Sequence, residues 1–153
     1  MITEERKFDH SIDYKTLKTK DELVAALKAV APNGINMYFE NVGGIHFAAA
    51  MDVLAAKGRV AICGQIENYN EASPDPCTFW PMRMIYTSQR IEGFISSTWL
   101  KDPEAHWLHE MHRWWTEGKI DVKETITEGI ENWPHAFIQL FDGSNIGKVV
   151  VKV

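Results

Sequence analysis

Three histidines, His106, His109 and His112, stand at i, i+3 and i+6 beside Glu110, and their spacing is the first that could do chemistry. A metal site would need them on one open face with a fourth donor. The same stretch places Trp107, Leu108, Met111, Trp114 and Trp115 within about 120° of one helical face, taking 100° per residue. The histidines fall opposite that apolar face, among Arg113 and Glu117, so a solvated polar face accounts for them. The zinc-protease pattern H-E-x-x-H is absent, the chain reading His109-Glu110-Met111-His112 instead. Cys63 and Cys77 form no Cys-x-x-Cys pair, so no structural zinc is expected. No G-x-S-x-G nucleophile elbow occurs. Cys63 ends an apolar run and reads as a small buried side chain rather than a reactive thiol.

Two glycine-bearing segments carry more. Glu40-Asn41-Val42-Gly43-Gly44 and Ile62-Cys63-Gly64-Gln65 each put glycine at the carboxyl end of an expected strand. Ligands of open α/β sheets bind at those ends, and glycine allows a flat cofactor to approach the backbone closely. Ordinary strand-to-helix turns account for the same glycines. Tyr69, just beyond the second segment, offers a hydroxyl that could donate to developing charge or serve as a proton donor; it could equally be a surface loop tyrosine.

These residues need strands and helices to hold them. A brief strand is expected at 10–14. Thr19-Lys20-Asp21-Glu22 is a capping box, and Leu23, Leu27 and Val30 continue it as a helical stripe ended by Pro32-Asn33-Gly34. A strand over 35–42 follows. Phe47, Ala50, Met51 and Leu54 then give a helix with Gly58 at its C′ position. Residues 59–64 form an apolar run typical of a buried parallel strand. From 65 to 81 the chain is polar and carries Pro74, Pro76 and Pro81, a long loop of the kind that is usually functional. A short helix over 82–89, a strand over 90–96, a helix opened by Asp102-Pro103 and closed by Gly118, a strand over 122–127, a helix from Trp133-Pro134 through Leu140, and a last strand over 148–153 complete the pattern. This alternation predicts an α/β fold with a parallel sheet, with a boundary near 119–123.

Composition agrees and excludes several classes. The chain has 153 residues, 45% hydrophobic and 24% charged, with a net charge of -5. An acidic chain without a basic block is a poor partner for nucleic acid. No stretch reaches the ~20 apolar residues of a membrane span, so no membrane role is expected. Residues 1–10 are charged and lack the apolar core of a secretory signal. With only two cysteines, a reducing, cytoplasmic setting is expected.

Taken in order, Phe39-Glu40-Asn41-Val42-Gly43-Gly44, the run from Gly58 to Ile66, Tyr69-Asn70, Arg90-Ile91-Glu92-Gly93-Phe94, Glu117-Gly118-Lys119-Ile120, Glu128-Gly129-Ile130-Glu131-Asn132 and Asn145-Ile146-Gly147-Lys148 resemble the zinc-independent medium-chain dehydrogenase/reductases. Within them the prostaglandin reductase (leukotriene B4 12-hydroxydehydrogenase) group is the most similar. The resemblance runs from about Phe8 to Val153. It implies NADPH-dependent reduction of the carbon–carbon double bond of α,β-unsaturated ketones and aldehydes, 15-oxo-prostaglandins and lipid-derived enals among them. Hydride goes to the β-carbon, and the stabilised enolate is then protonated at the α-carbon.

By matching motif, Tyr14 and Asn41 would contact the cofactor, NADP(H). Cys63, Gly64, Gln65, Ile66 and Tyr69 would run along its nicotinamide half. Phe94, Ile95 and Ser96 would lie beside the nicotinamide, and Asn145 would reach it from the last turn. Tyr69 matches the tyrosine that positions the nicotinamide ribose or the substrate carbonyl, and so is the candidate catalytic residue. The resemblance also implies a homodimer through the edge strand at 90–95.

Family members are about twice as long. Their chaperonin-10-like catalytic domain, first strand and glycine-rich phosphate loop have no counterpart here, and no G-x-G-x-x-G occurs. The expected architecture is therefore an incomplete Rossmann-type sheet over 1–121, lacking strands 1 and 2 of the order 3-2-1-4-5-6 and leaving a strand at 12–14 without a neighbour. A segment of the catalytic domain would follow over 122–153. Two readings result: the C-terminal portion of an enone reductase, inactive when isolated, or a non-catalytic dimerisation or interaction module.

Overall fold

A computed structural model describes residues 7–73, 78–100 and 106–153. They cluster into two compact units, 1–98 and 99–153. The architecture is α/β with parallel strands throughout.

The first unit is a three-stranded parallel sheet in the order β1-β2-β3, with β1 at Ile35–Glu40, β2 at Leu54–Ile62 and β3 at Arg90–Gly93. Parallel neighbours need a crossover. Helix α2, Gly44–Val53, supplies it between β1 and β2, and α3, Pro81–Thr87, lies between β2 and β3. Helix α1, Lys20–Val30, packs on α2 and starts at the expected capping box: the Glu22 main-chain N–H donates to Thr19 Oγ1 (3.3 Å), and the Thr19 N–H donates to Glu22 Oε2 (2.9 Å). Lys20 adds an ion pair to Asp52 at 2.7 Å. Phe47, Met51, Leu54 and Val60 form the core, with Tyr38, Ile62, Phe79, Met84 and Ile91 packed around them. Helix α2 is buried along most of its length, which suits a crossover pressed between a sheet and a second helix.

The second unit repeats the logic on a smaller scale. Strands β4, Glu124–Glu128, and β5, Lys148–Lys152, pair in parallel, with helix α6, Trp133–Asp142, between them in the chain. Helix α5, Trp107–Thr116, precedes them and carries Trp107, Trp114 and Trp115. On β4 the threonines, not the isoleucine, face the partly covered side: Ile126 is exposed, while Thr125 Oγ1 donates to the Ile146 carbonyl (3.0 Å) and accepts from its N–H (2.9 Å). Gly147 needs its missing side chain. Its φ is +71°, and a Cβ there would lie 2.0 Å from the Lys123 carbonyl oxygen.

Four expectations are corrected. The strand at 10–14 does not form; Tyr14–Thr16 is a 3₁₀ turn capped by Asp13. A strand without a neighbour has no partner for its backbone groups, and a local turn satisfies them. Helix α2 ends at Val53 rather than near Gly58, because Leu54 already pairs with Ile35 as the first residue of β2. Residues 55–58 then bulge opposite Asn36, with Lys57 in the left-handed region at φ +62°. Gly58 serves close packing, since a Cβ would sit 2.6 Å from Leu54 Cγ. Residues 96–100 were expected as strand end and loop, but Ser96–Leu100 is a short helix, α4. The strand at 122–127 is shifted, starting at Glu124. The expected helix start at 102–103 and the positions of Pro74, Pro76 and Cys77 lie outside the described residues.

Candidate functional site

The carboxyl ends of β1 and β2 are joined by one buried acid. Glu40, the last residue of β1, is 1% exposed. Its carboxylate turns back over the following residues, accepting from the main-chain N–H groups of Val42 and Gly43 (3.0 Å for Gly43) and from the Tyr38 hydroxyl at 2.7 Å. Its main-chain carbonyl accepts from Cys63 (2.9 Å) and Gly64 (3.1 Å) on the neighbouring strand end. The next two carbonyls continue the seam: Asn41 accepts from Ile66 at 3.0 Å and Val42 from Glu67 at 3.1 Å.

The glycines at these strand ends are filled by the chain itself. A Cβ on Gly43 would lie 2.3 Å from Gln65 Cγ, and one on Gly44 would lie 1.7 Å from Glu67 Oε2. A Cβ on Gly64 would lie 2.7 Å from the Tyr69 hydroxyl. Their smallness is used by the 64–69 loop, whose side chains pack directly on the backbone. The same loop brings Tyr69 back over the strand end: Tyr69 Oη accepts from the Gln65 N–H at 3.3 Å, while the residue is 67% exposed. Among the described residues its own proton is given to no other group.

Asn41, Gly64, Gln65 and Tyr69 are therefore brought together at one rim. Ile66 is exposed on its short 3₁₀ turn, Ile66–Asn68. Cys63 is exposed as a free thiol, correcting the buried reading; β2 ends at Ile62, so Cys63 sits where the chain leaves the sheet. Phe94 follows β3, its N–H donating to the Ile62 carbonyl at 3.0 Å and its ring meeting Phe39 edge-on at 5.8 Å. Ile95 is exposed, and Ser96 starts α4. Tyr14 packs edge-on against His46 of α2 at 5.1 Å, one turn along from the glycines, and the buried Nδ1 of His46 has no hydrogen-bond partner among the described residues. Asn145 belongs to the second unit, where its side-chain amide donates to the Gly147 carbonyl at 3.1 Å and shapes the turn into β5.

Sequence reading passed over Glu40 and Glu67. An acidic residue closing a strand directly before Asn-x-Gly-Gly was the available signal for Glu40, since a carboxylate there can reach the N–H groups two and three residues on. Glu67 offered no comparable signal. On α5, His112 meets Trp115 edge-on, and Arg113 pairs with Glu110 at 2.5 Å and with Glu117 at 3.2 Å, as for a solvated charged face. Among the described residues no group of three or more His, Cys, Asp or Glu side chains is placed to hold a metal ion. No helix among them is long and apolar enough to cross a membrane.

A family model described as zinc-binding dehydrogenase matches residues 7–151, which include every residue of this rim. The chain belongs to the zinc-binding dehydrogenase family. The family expectation drawn from the ordered motifs is thereby borne out. Prostaglandin reductase 1 of Mus musculus is 40% identical over 145 residues, covering 95% of this chain and 43% of its own. The NADPH-dependent curcumin reductase of Escherichia coli (strain K12) is 35% identical over 159 residues, covering 99% of this chain and 44% of its own. Among solved structures, CurA from Vibrio vulnificus in complex with NADPH superposes with a TM-score of 0.79 at 34% identity, over 99% of this chain and 45% of that one. The chain thus spans less than half the length of the curated relatives it matches.

Proposed function

We propose that residues 7–151 form the nicotinamide-side part of an NADPH-dependent reductase of the carbon–carbon double bond in α,β-unsaturated ketones and aldehydes. The observation that carries this reading is the Tyr69 hydroxyl, anchored by the Gln65 N–H at the carboxyl ends of parallel strands, its own proton given to no other group among the described residues. The similarity to a prostaglandin reductase and to an NADPH-dependent curcumin reductase supports the substrate class and the cofactor. We read residues 1–121 as part of the nucleotide-binding domain and 122–153, which hold both strands of the second sheet, as a segment of the catalytic domain.

The rim fits a nicotinamide and its ribose in its side-chain donor set: the Tyr69 hydroxyl and the side-chain amides of Asn41 and Gln65. Bound there, the cofactor supplies the hydride for the β-carbon. Tyr69 donates to the carbonyl oxygen of the enone, where negative charge builds as the enolate forms, and a fixed donor at that point lowers the barrier. Asn41, Cys63, Gly64, Gln65 and Ile66 line the nicotinamide side. Phe94, Ile95 and Ser96 lie beside it, and Tyr14 adds a contact from the same unit. The setting is cytoplasmic.

A thermal melt of the 153-residue chain with and without NADPH tests the reading. A ligand that binds only the folded state raises its stability, so a cooperative melt raised by NADPH is expected. A transition unmoved by saturating NADPH would refute a cofactor rim in this chain.

The second reading, a dimerisation module, is favoured by one observation: among the described residues β3 is an edge of its sheet, and it carries the exposed Arg90–Glu92 ion pair (2.8 Å). Exposed edges invite pairing with another chain. Light scattering that finds this chain monomeric would refute that reading.

A further inference from the structure

We infer that Glu40 is a positioning residue, which sets the 63–67 loop through the turn at 41–43. Among the described residues its carboxylate hydrogen-bonds no residue proposed to meet cofactor or substrate; its donors are the main-chain amides of Val42 and Gly43 and the Tyr38 hydroxyl. An ionised carboxylate only accepts hydrogen bonds, and here it faces donors alone. Burying such a group is costly unless it is fully hydrogen-bonded, so the turn at 41–43 must keep its N–H groups aimed inward for Glu40 to remain at 1% exposure. That requirement fixes which way the Asn41 and Val42 carbonyls point. These are the groups that hold the Ile66 and Glu67 N–H groups at 3.0 and 3.1 Å, while the Glu40 carbonyl holds Cys63 and Gly64. One buried carboxylate thus governs a loop to which, among the described residues, its own oxygens make no hydrogen bond. Hydrogen bonds coupled in this way stand or fall together.

The consequence for NADPH rests on the function proposed above; the effect on the loop does not. Amide hydrogen exchange by NMR on the full 153-residue chain, comparing wild type with Glu40→Ala and Glu40→Gln, separates the two. In Glu40→Ala we expect exchange at Ile66 and Glu67 to speed at least about 10-fold, as at Val42 and Gly43, while Val60 and Ala61 in the β1–β2 ladder change little. Glu40→Gln should restore most of the protection, because its Oε1 can still accept from both amides while its amide donates to the Tyr38 oxygen. A residue that merely fills space would lower the melting temperature without singling out Ile66 and Glu67. Unchanged exchange at these two amides in Glu40→Ala would overturn the proposal, as would failure of Glu40→Gln to restore them. If Glu40→Ala does not fold, Glu40→Asp, whose carboxylate stops one methylene short, takes its place with the same expected and overturning results. An NADPH titration followed by tryptophan fluorescence is run alongside. Wild type that binds NADPH should lose about 10-fold in affinity in the alanine variant. Wild type that does not bind would count against the cofactor reading alone, and the exchange data would still decide the role of Glu40.

Discussion

At the scale of single residues, Tyr69 and the glycines divide the work of the rim. The Tyr69 hydroxyl accepts from one main-chain amide and, among the described residues, donates its proton to none. In a chimera joining residues 7–151 to the remaining part of a full-length relative, Tyr69→Phe is expected to lower kcat for an enone at least about 10-fold. Equal kcat in the two chimeras would remove the hydroxyl from the mechanism. Glycine is required for a different reason at Gly147, where the backbone is left-handed and a Cβ would overlap the Lys123 carbonyl. There Gly147→Ala should destabilise the second unit by about 1–3 kcal/mol from backbone strain alone, read as an earlier urea midpoint. Motif reading located Asn41, Gly64 and Tyr69 at strand ends, because glycine and tyrosine announce themselves by type. It missed that Gln65 and Glu67 occupy the glycine faces, because no local pattern says which loop folds back onto which turn.

At the scale of elements, the capping box of α1 and the anchoring of β2 are the two places where energy can be assigned. Thr19 and Glu22 satisfy each other's main-chain N–H groups, so Thr19→Ala should cost about 1 kcal/mol, measurable by thermal melt. The N–H groups of Lys18 and then Thr19 hold the Glu22 carboxyl below its ordinary value. A carboxyl whose folded pKa is lowered contributes stability above its unfolded value of about 4.3 and loses it as pH falls through the lower folded value. Glu22→Gln should therefore be less stable than wild type at neutral pH and equal to it in strong acid; a difference that persists unchanged into strong acid would disprove the linkage. Leu54 is 1% exposed at the start of β2, and Gln89 reaches across to its carbonyl at 2.8 Å. Leu54→Ala is expected to cost about 2–5 kcal/mol in urea unfolding. Most elements were legible from periodicity and punctuation. The end of α2 was not, because Gly58 looks like a helix stop while long-range pairing with Ile35 had already drawn Leu54 into the sheet.

At the scale of the whole molecule, the 153 residues hold the rim proposed for the nicotinamide side and no G-x-G-x-x-G for phosphates. Expressed by themselves, they are expected to show no NADPH-dependent reduction of an alkenal in a spectrophotometric assay, and measurable turnover would refute this. Metal analysis of the same preparation should find no stoichiometric zinc. Apolar surface is left open on both units: Met37 and Phe39 on β1, and the stacked Trp133, Phe137 and Phe141 on α6. Patches of this kind mark surfaces that other protein ordinarily covers.

The sequence by itself determined the α/β class, the parallel strands and the family, because strand and helix periods and ordered glycine motifs are local properties of the chain. Only the tertiary structure decided that 10–14 is not a strand, that Cys63 is exposed and that Glu40 ties the two strand ends together. Each of these depends on what lies opposite in space. A strand needs a neighbour, a side chain is buried only if something covers it, and a buried carboxylate persists only where donors from the turn beyond it converge.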